Sequence, residues 1–144
     1  MLGSGPISWA SKKQSTVACS STESEYYALS ETARETVWLR KLLGEMGQEQ
    51  DSATTIWEDN QQTIVWALDA AHHGRNKHID VRLHYVRDQV RRNVVKVQYT
   101  PTEDQLADLL TKPLGRLAFQ RLVKKIMDFG TAGVCEISGP PRVD

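Results

Sequence analysis

Residues 54–68, TTIWEDNQQTIVWAL, decide how this chain is read. TTIWE is a compact run of β-branched and aromatic residues and predicts a strand. It runs directly into DNQQTIVWAL, a short helix whose start is marked by Asp59 or Asn60, residue types whose side-chain oxygens accept from free N–H groups at helix starts. The result is a strand that ends in acid.

Upstream, SSTESE opens a long helix. Ser20 and Thr22 each have a glutamate three residues on, Glu23 and Glu25, which is the pattern of a capping box. Tyr26, Leu29, Ala33 and Val37 fall on one stripe, continued by Leu42 and Leu43, and the helix should end near residues 44–47. Before it, residues 7–9 and 16–19 are short β-favouring stretches flanking SKKQS, consistent with a strand or a strand pair with a turn. Downstream of the polar, His-rich AAHHGRNKHI, residues 81–92 predict a helix with Val81, Tyr85, Val86 and Val90 inward and Arg82, Arg87 and Arg91 outward. VVKVQY alternates as a strand. Thr102 with Gln105 forms another capping box, launching EDQLADLLTK as a helix that Pro113 stops. An amphipathic helix over 117–127 follows, and residues 130–144, rich in Gly and Pro, read as an unfolded tail. The alternation implies an α/β sheet with helices packed on it.

Composition bounds the class. A chain of 144 residues is the size of one domain, able to bury roughly two thirds of its unfolded surface. Hydrophobic residues at 40% and charged residues at 25% are ordinary globular usage, which excludes collagenous, disordered and membrane-spanning classes. Basic and acidic residues balance at 18 each, so no global field announces a nucleic-acid partner. The distribution is uneven: residues 20–60 carry nine acids and three bases, whereas residues 71–100 carry seven bases and two acids. Cys19 and Cys135 stand far apart in no metal-binding spacing, so neither a disulfide framework nor a zinc motif is supported. The N-terminus has no basic and apolar leader pattern, and an intracellular chain, cytoplasmic or nuclear, without a membrane partner is expected.

Three acids stand where a metal site could be assembled: Glu25 early in the long helix, Asp59 at the strand end, and Asp108 among Leu106, Leu109 and Leu110. Carboxylates converging from separate elements are what Mg²⁺ requires, and two such ions can orient the attacking and leaving oxygens of a phosphodiester. Each acid also has a plain structural reading. Glu25 closes a capping box on Thr22, Asp59 caps its own helix, and Asp108 lies on a solvated face. Trp38, Trp57 and Trp66 sit among apolar neighbours and read as core. His72, His73, His78 and His84 lack the cysteine or suitably spaced acid that would complete a zinc set.

Longer strings separate these readings. GPISWASKKQSTVACSSTESEYYAL, WLRKLL, EDNQQTI, KHIDVRLHYVRD and YTPTEDQLADLLTKPL resemble, in order and spacing, the ribonuclease H region of copia-type retrotransposon Pol polyproteins, over residues 2–129. The resemblance implies a ribonuclease H-like mixed sheet with flanking helices, and cleavage of the RNA strand of an RNA–DNA hybrid by four carboxylates and two divalent ions, Mg²⁺ or Mn²⁺. It places the family's helix glutamate on Glu25, leaving Glu23 to cap with Ser20, its strand-end aspartate on Asp59 and its last aspartate on Asp108. It also implies a reverse transcriptase domain upstream in the parent polyprotein.

One departure stands at the start. The family precedes GPISW with two strands, the first bearing a shared metal ligand, and no acid occurs here before Glu23. The expectation is therefore a ribonuclease H-like domain, residues 1–129, lacking the first two strands, with weakened metal binding and hydrolysis lost. Its alternative is a non-catalytic nucleic-acid-binding or protein-interaction remnant; a fragment whose missing strands lie upstream is a third reading. The strands TTIWE and VVKVQY should then be parallel neighbours, with exposed sheet edges prone to self-association. Lys12, Lys13, Arg75, Lys77, Arg82, Arg91 and Arg92 could contact hybrid phosphates, or simply form a solvated basic face.

Overall fold

The computed structural model describes residues 6–14, 17–69 and 77–132, with side chains described except at 77–80 and 128–132. The chain divides into two compact units, one formed by residues 14–105 and the other by residues 1–13 with 106–144.

The larger unit begins with helix α1, Ser21–Glu45, entered as the capping pattern predicts. Ser20 is in extended backbone, and its hydroxyl accepts the Glu23 N–H at 3.1 Å. The Glu23 carboxylate reaches back one residue beyond the cap, to the Cys19 N–H at 2.8 Å. Free N–H groups at a helix start are thus satisfied from the sequence on either side of it. Ser20→Ala is expected to cost about 1 kcal/mol, read as a lower urea midpoint; an unchanged midpoint would show that the cap contributes nothing. The helix ends where the glycines stand: Gly47 takes φ +75° and the Gln48 N–H turns back to the Leu43 carbonyl at 2.8 Å.

Strand β1, Thr54–Glu58, leads into helix α2, Gln61–Leu68, and helix α3, Lys77–Arg91, leads into strand β2, Val95–Tyr99. The strands pair in parallel, Ile56 opposite Val97 and Glu58 opposite Tyr99, as expected. The ladder is extended at both ends, by Thr54 N–H to Val94 O and Thr100 N–H to Glu58 O. The architecture is therefore α/β, a two-stranded parallel sheet with helices. Among the described residues each strand has a neighbour on one side only. Tyr26, Leu29 and Ala33 of α1, Ile56 of β1, Ala67 of α2, Leu83 and Val86 of α3, and Val95 and Val97 of β2 form one buried cluster.

Several expectations need correction. Residues 7–9 and 17–19 form no strand, and Thr16 lies outside the described residues. On α3, Val86, Tyr85 and Val90 face the core as expected and Leu83 joins them, but Val81 is exposed and Arg87, expected outward, is buried at 5% exposure. Its Nε donates to the Trp66 carbonyl at 2.9 Å. That carbonyl belongs to the last turn of α2, where acceptors lack partners within the helix and a cation is favoured, so the buried guanidinium has work there. Trp57 is 53% exposed because strand alternation turns Ile56 and Glu58 inward, and Trp38 is exposed because α1 outruns the core past Ala33. Only Trp66 packs against the core as expected, with its ring centroid 6.1 Å from that of Tyr26.

The smaller unit contains α4, Asp108–Thr111, and α5, Arg116–Ala132. The predicted helix over EDQLADLLTK is instead a 3-10 turn at Thr102–Asp104, with no side-chain cap, followed after a break by the four residues of α4. Gln105 does not close a capping box; its side-chain amide donates to Trp57 O at 3.3 Å. Helix α5 runs to Ala132, past the expected boundary at 129, and residues 133–144, with Cys135, lie outside the described residues. No helix among the described residues is long and apolar enough to cross a membrane.

Candidate metal centre

Two of the three candidate ligands meet. One carboxylate oxygen each from Glu25, Glu58 and Asp59 lie within 4.8 Å of one another. Glu25 is delivered by the first turns of α1, and Glu58 and Asp59 by the carboxyl end of β1, the end of a parallel strand at which α/β folds build their sites. The plain readings of the first two acids do not hold in this geometry. The cap of α1 is Ser20 with Glu23, so no capping box joins Glu25 to Thr22. The cap of α2 is Asn60, whose Oδ1 accepts the Gln62 and Thr63 N–H groups at 3.0 and 3.2 Å.

Asp108 lies in the smaller unit. It is 7% exposed, not on a solvated face, and its carboxylate is paired with the Lys112 ammonium at 2.9 Å.

Glu58 was not among the predicted site residues. Strand periodicity could have found it, since counting two from Ile56 puts Glu58 on the same inward face. It is only 5% exposed, and burial pushes its carboxyl up to about 7. The N–H groups of Asn60 and Asp59 pull the other way, while the negative charges of Glu25 and Asp59 push it further up. Carboxylate oxygens brought together from two elements suit a hard divalent cation such as Mg²⁺ or Mn²⁺ better than a soft one. Bound there, such an ion would compensate the like charges and supply Lewis-acid chemistry at a phosphate oxygen.

The basic residues are placed unevenly. Lys12 and Lys13 are exposed in the smaller unit, and Arg91 and Arg92 are exposed at the end of α3, Arg92 at 3.6 Å from Asp88. Arg82 is engaged within the fold: its guanidinium is 2.8 Å from Glu31 and lies 3.7 Å over the Tyr27 ring, joining α1 to α3. Arg75, His72, His73 and the side chains of Lys77 and His78 lie outside the described residues; His84 is exposed.

An α/β unit with acids gathered at its strand end is a common solution, and comparison with known proteins narrows it. Homologues at 41–43% identity over most of the chain are copia-type retrotransposon Pol polyproteins. The Retrovirus-related Pol polyprotein from transposon RE2 of Arabidopsis thaliana is 43% identical over 125 residues, covering 87% of this chain and 9% of that protein. The corresponding protein of transposon RE1 from the same plant is 43% identical over 125 residues, 87% of this chain and 8% of its own length. That of transposon TNT 1-94 of Nicotiana tabacum is 41% identical over 116 residues, 81% of this chain and 9% of its length. The chain thus spans less than a tenth of these relatives. No family model matches the chain, and no solved structure does.

Proposed function

We propose that this chain is part of a ribonuclease H-like domain of a retrotransposon Pol polyprotein, the activity of which is metal-dependent hydrolysis of the RNA strand of RNA–DNA hybrids. Glu25 and Asp59 are the proposed ligands for Mg²⁺ or Mn²⁺. One observation carries the reading: two acids far apart in sequence, Glu25 and Asp59, bring carboxylate oxygens within 4.8 Å of each other. The Pol polyprotein homologues support it, and in that setting a reverse transcriptase domain would precede this one.

The chain's own residues have simple roles in this reading. Glu25 and Asp59 hold negative oxygen atoms where a cation bridging to phosphate would need them. The exposed Lys12, Lys13, Arg91 and Arg92 would meet hybrid phosphates, making affinity fall steeply with salt. Arg82, tied to Glu31 and Tyr27, contributes to the fold first. The exposed Arg91 and Arg92 favour a second reading, a non-catalytic nucleic-acid-binding module, since phosphate contacts need no metal.

The test is a Mn²⁺ titration followed by electron paramagnetic resonance, run beside cleavage of a labelled RNA–DNA hybrid in Mg²⁺ and Mn²⁺. The wild-type chain should bind Mn²⁺, and Asp59→Asn should weaken binding about tenfold or more while hybrid binding survives. A wild-type chain that takes up no Mn²⁺ at millimolar concentration sinks the metal-centre reading. Cleavage by the wild-type chain that Asp59→Asn abolishes would remove the non-catalytic one.

A further inference from the structure

Resting on the metal-centre reading, we infer that Glu58 is a positioning residue for Asp59: its buried carboxylate braces the turn between β1 and α2, so that the Asp59 carboxylate is held beside that of Glu25. A side chain at the end of a strand has little to fix it, because the ladder stops there and the following residue is free to swing. Here the turn is tied on both sides of Asp59. Behind it, Glu58 is drawn into the interior by strand alternation, and its own carbonyl accepts the Thr100 N–H at 3.0 Å. Ahead of it, the Asn60 N–H donates to Glu58 Oε1 at 3.0 Å.

The brace continues into α1. Asn60 Oδ1 accepts the N–H of Thr63 at 3.2 Å, and the hydroxyl of Thr63, a fully buried residue, donates to the Thr22 carbonyl at 3.4 Å. Thr22 lies about one helical turn before Glu25. A continuous path of hydrogen bonds therefore runs from Glu58 through Asn60 and Thr63 to the turn of α1 that presents the second acid. Both ends of the 4.8 Å cluster are set by it. A carboxylate committed to a backbone N–H orients the neighbouring ligand in the way outer partners of metal ligands do.

The experiment compares Glu58→Gln with Glu58→Ala in the full 144-residue chain, using Mn²⁺ alone as the probe and circular dichroism to follow folding. The glutamine oxygen can still accept the Asn60 N–H, so Glu58→Gln should keep the Mn²⁺ dissociation constant within about threefold of wild type, whereas Glu58→Ala should weaken it about tenfold to a hundredfold. If glutamine weakens binding as much as alanine, the charge of Glu58 holds the ion directly and the positioning role is wrong. Wild-type affinity in the alanine variant also overturns it. Thr63→Val breaks the same path at its far end without touching an acid, and decides the matter if Glu58→Ala fails to fold: weaker Mn²⁺ binding supports the brace and unchanged binding overturns it. Absence of Mn²⁺ binding in the wild type, by contrast, removes the metal centre on which the role depends.

Discussion

Leu83→Ala should lower stability by about 3–4 kcal/mol, the range for removing a well-packed leucine from a core that cannot close over the gap. Leu83 is 1% exposed and, after Tyr26, the largest fully buried side chain among the described residues. It packs in the cluster that joins α1, β1, α2, α3 and β2, and the Tyr26 hydroxyl donates to its carbonyl at 3.4 Å. Against a total of about 5–15 kcal/mol for a domain, that loss is a quarter or more of what holds the fold. The measurement is urea unfolding beside Leu117→Ala, a residue 82% exposed, for which a change within about 0.5 kcal/mol is expected. Equal, small effects at both positions would mean that the cluster around Leu83 is not the core.

Stability should fall as pH rises from about 4.5 to about 7 in the absence of divalent cations, and Glu58→Gln should remove that fall. Burial raises the Glu58 carboxyl from its ordinary 4.5 to about 7, with the Glu25 and Asp59 charges adding to the rise. An acid raised in the folded state binds more protons there than in the unfolded chain, so the slope of unfolding free energy against pH is negative across this window. Below the unfolded value the group is protonated in both states and carries no penalty. Above the folded value the penalty is complete, on the order of 3 kcal/mol at most. Glu58→Gln should therefore be more stable than wild type at pH 8, and the two should converge near pH 4. Other acids titrate in both proteins, so the difference between their melting curves isolates Glu58. Millimolar Mg²⁺ should stabilise both proteins to a similar degree, since Glu25 and Asp59 are present in each. A wild type that gains stability over glutamine as pH rises would contradict a carboxylate whose charge burial disfavours.

Much of the local structure was legible in the residues. Ser20 with Glu23 marks the start of α1, Gly47 its end, and the β-branched runs TTIWE and VVKVQY both become strands, because caps, turns and alternation are decided by neighbours a few positions away. Their parallel pairing was also anticipated. EDQLADLLTK misled: the pair Thr102 and Gln105 looks like a cap, yet Gln105 is drawn off to the Trp57 carbonyl and the helix is reduced to Asp108–Thr111. A propensity of a few tenths of a kcal/mol per residue yields readily to such a contact.

Glu25 and Asp59 could be nominated as candidate ligands from the residues, and Asp108 with them, because acids at a helix start, a strand end and an apolar segment are visible in one dimension. What the string of residues determined about this protein was α1, β1, α2 and β2, since their starts and ends depend on short-range spacing. Only the folded chain decided which face each element buries: Glu58 and Arg87 inward, Val81, Trp38 and Trp57 outward. In α3 that choice is made by a partner distant in sequence, the Trp66 carbonyl for Arg87, which no periodicity within the helix records; in β1 alternation sets Trp57 and Glu58 on opposite faces, and packing of Ile56 against α1, α3 and β2 decides which face is inside.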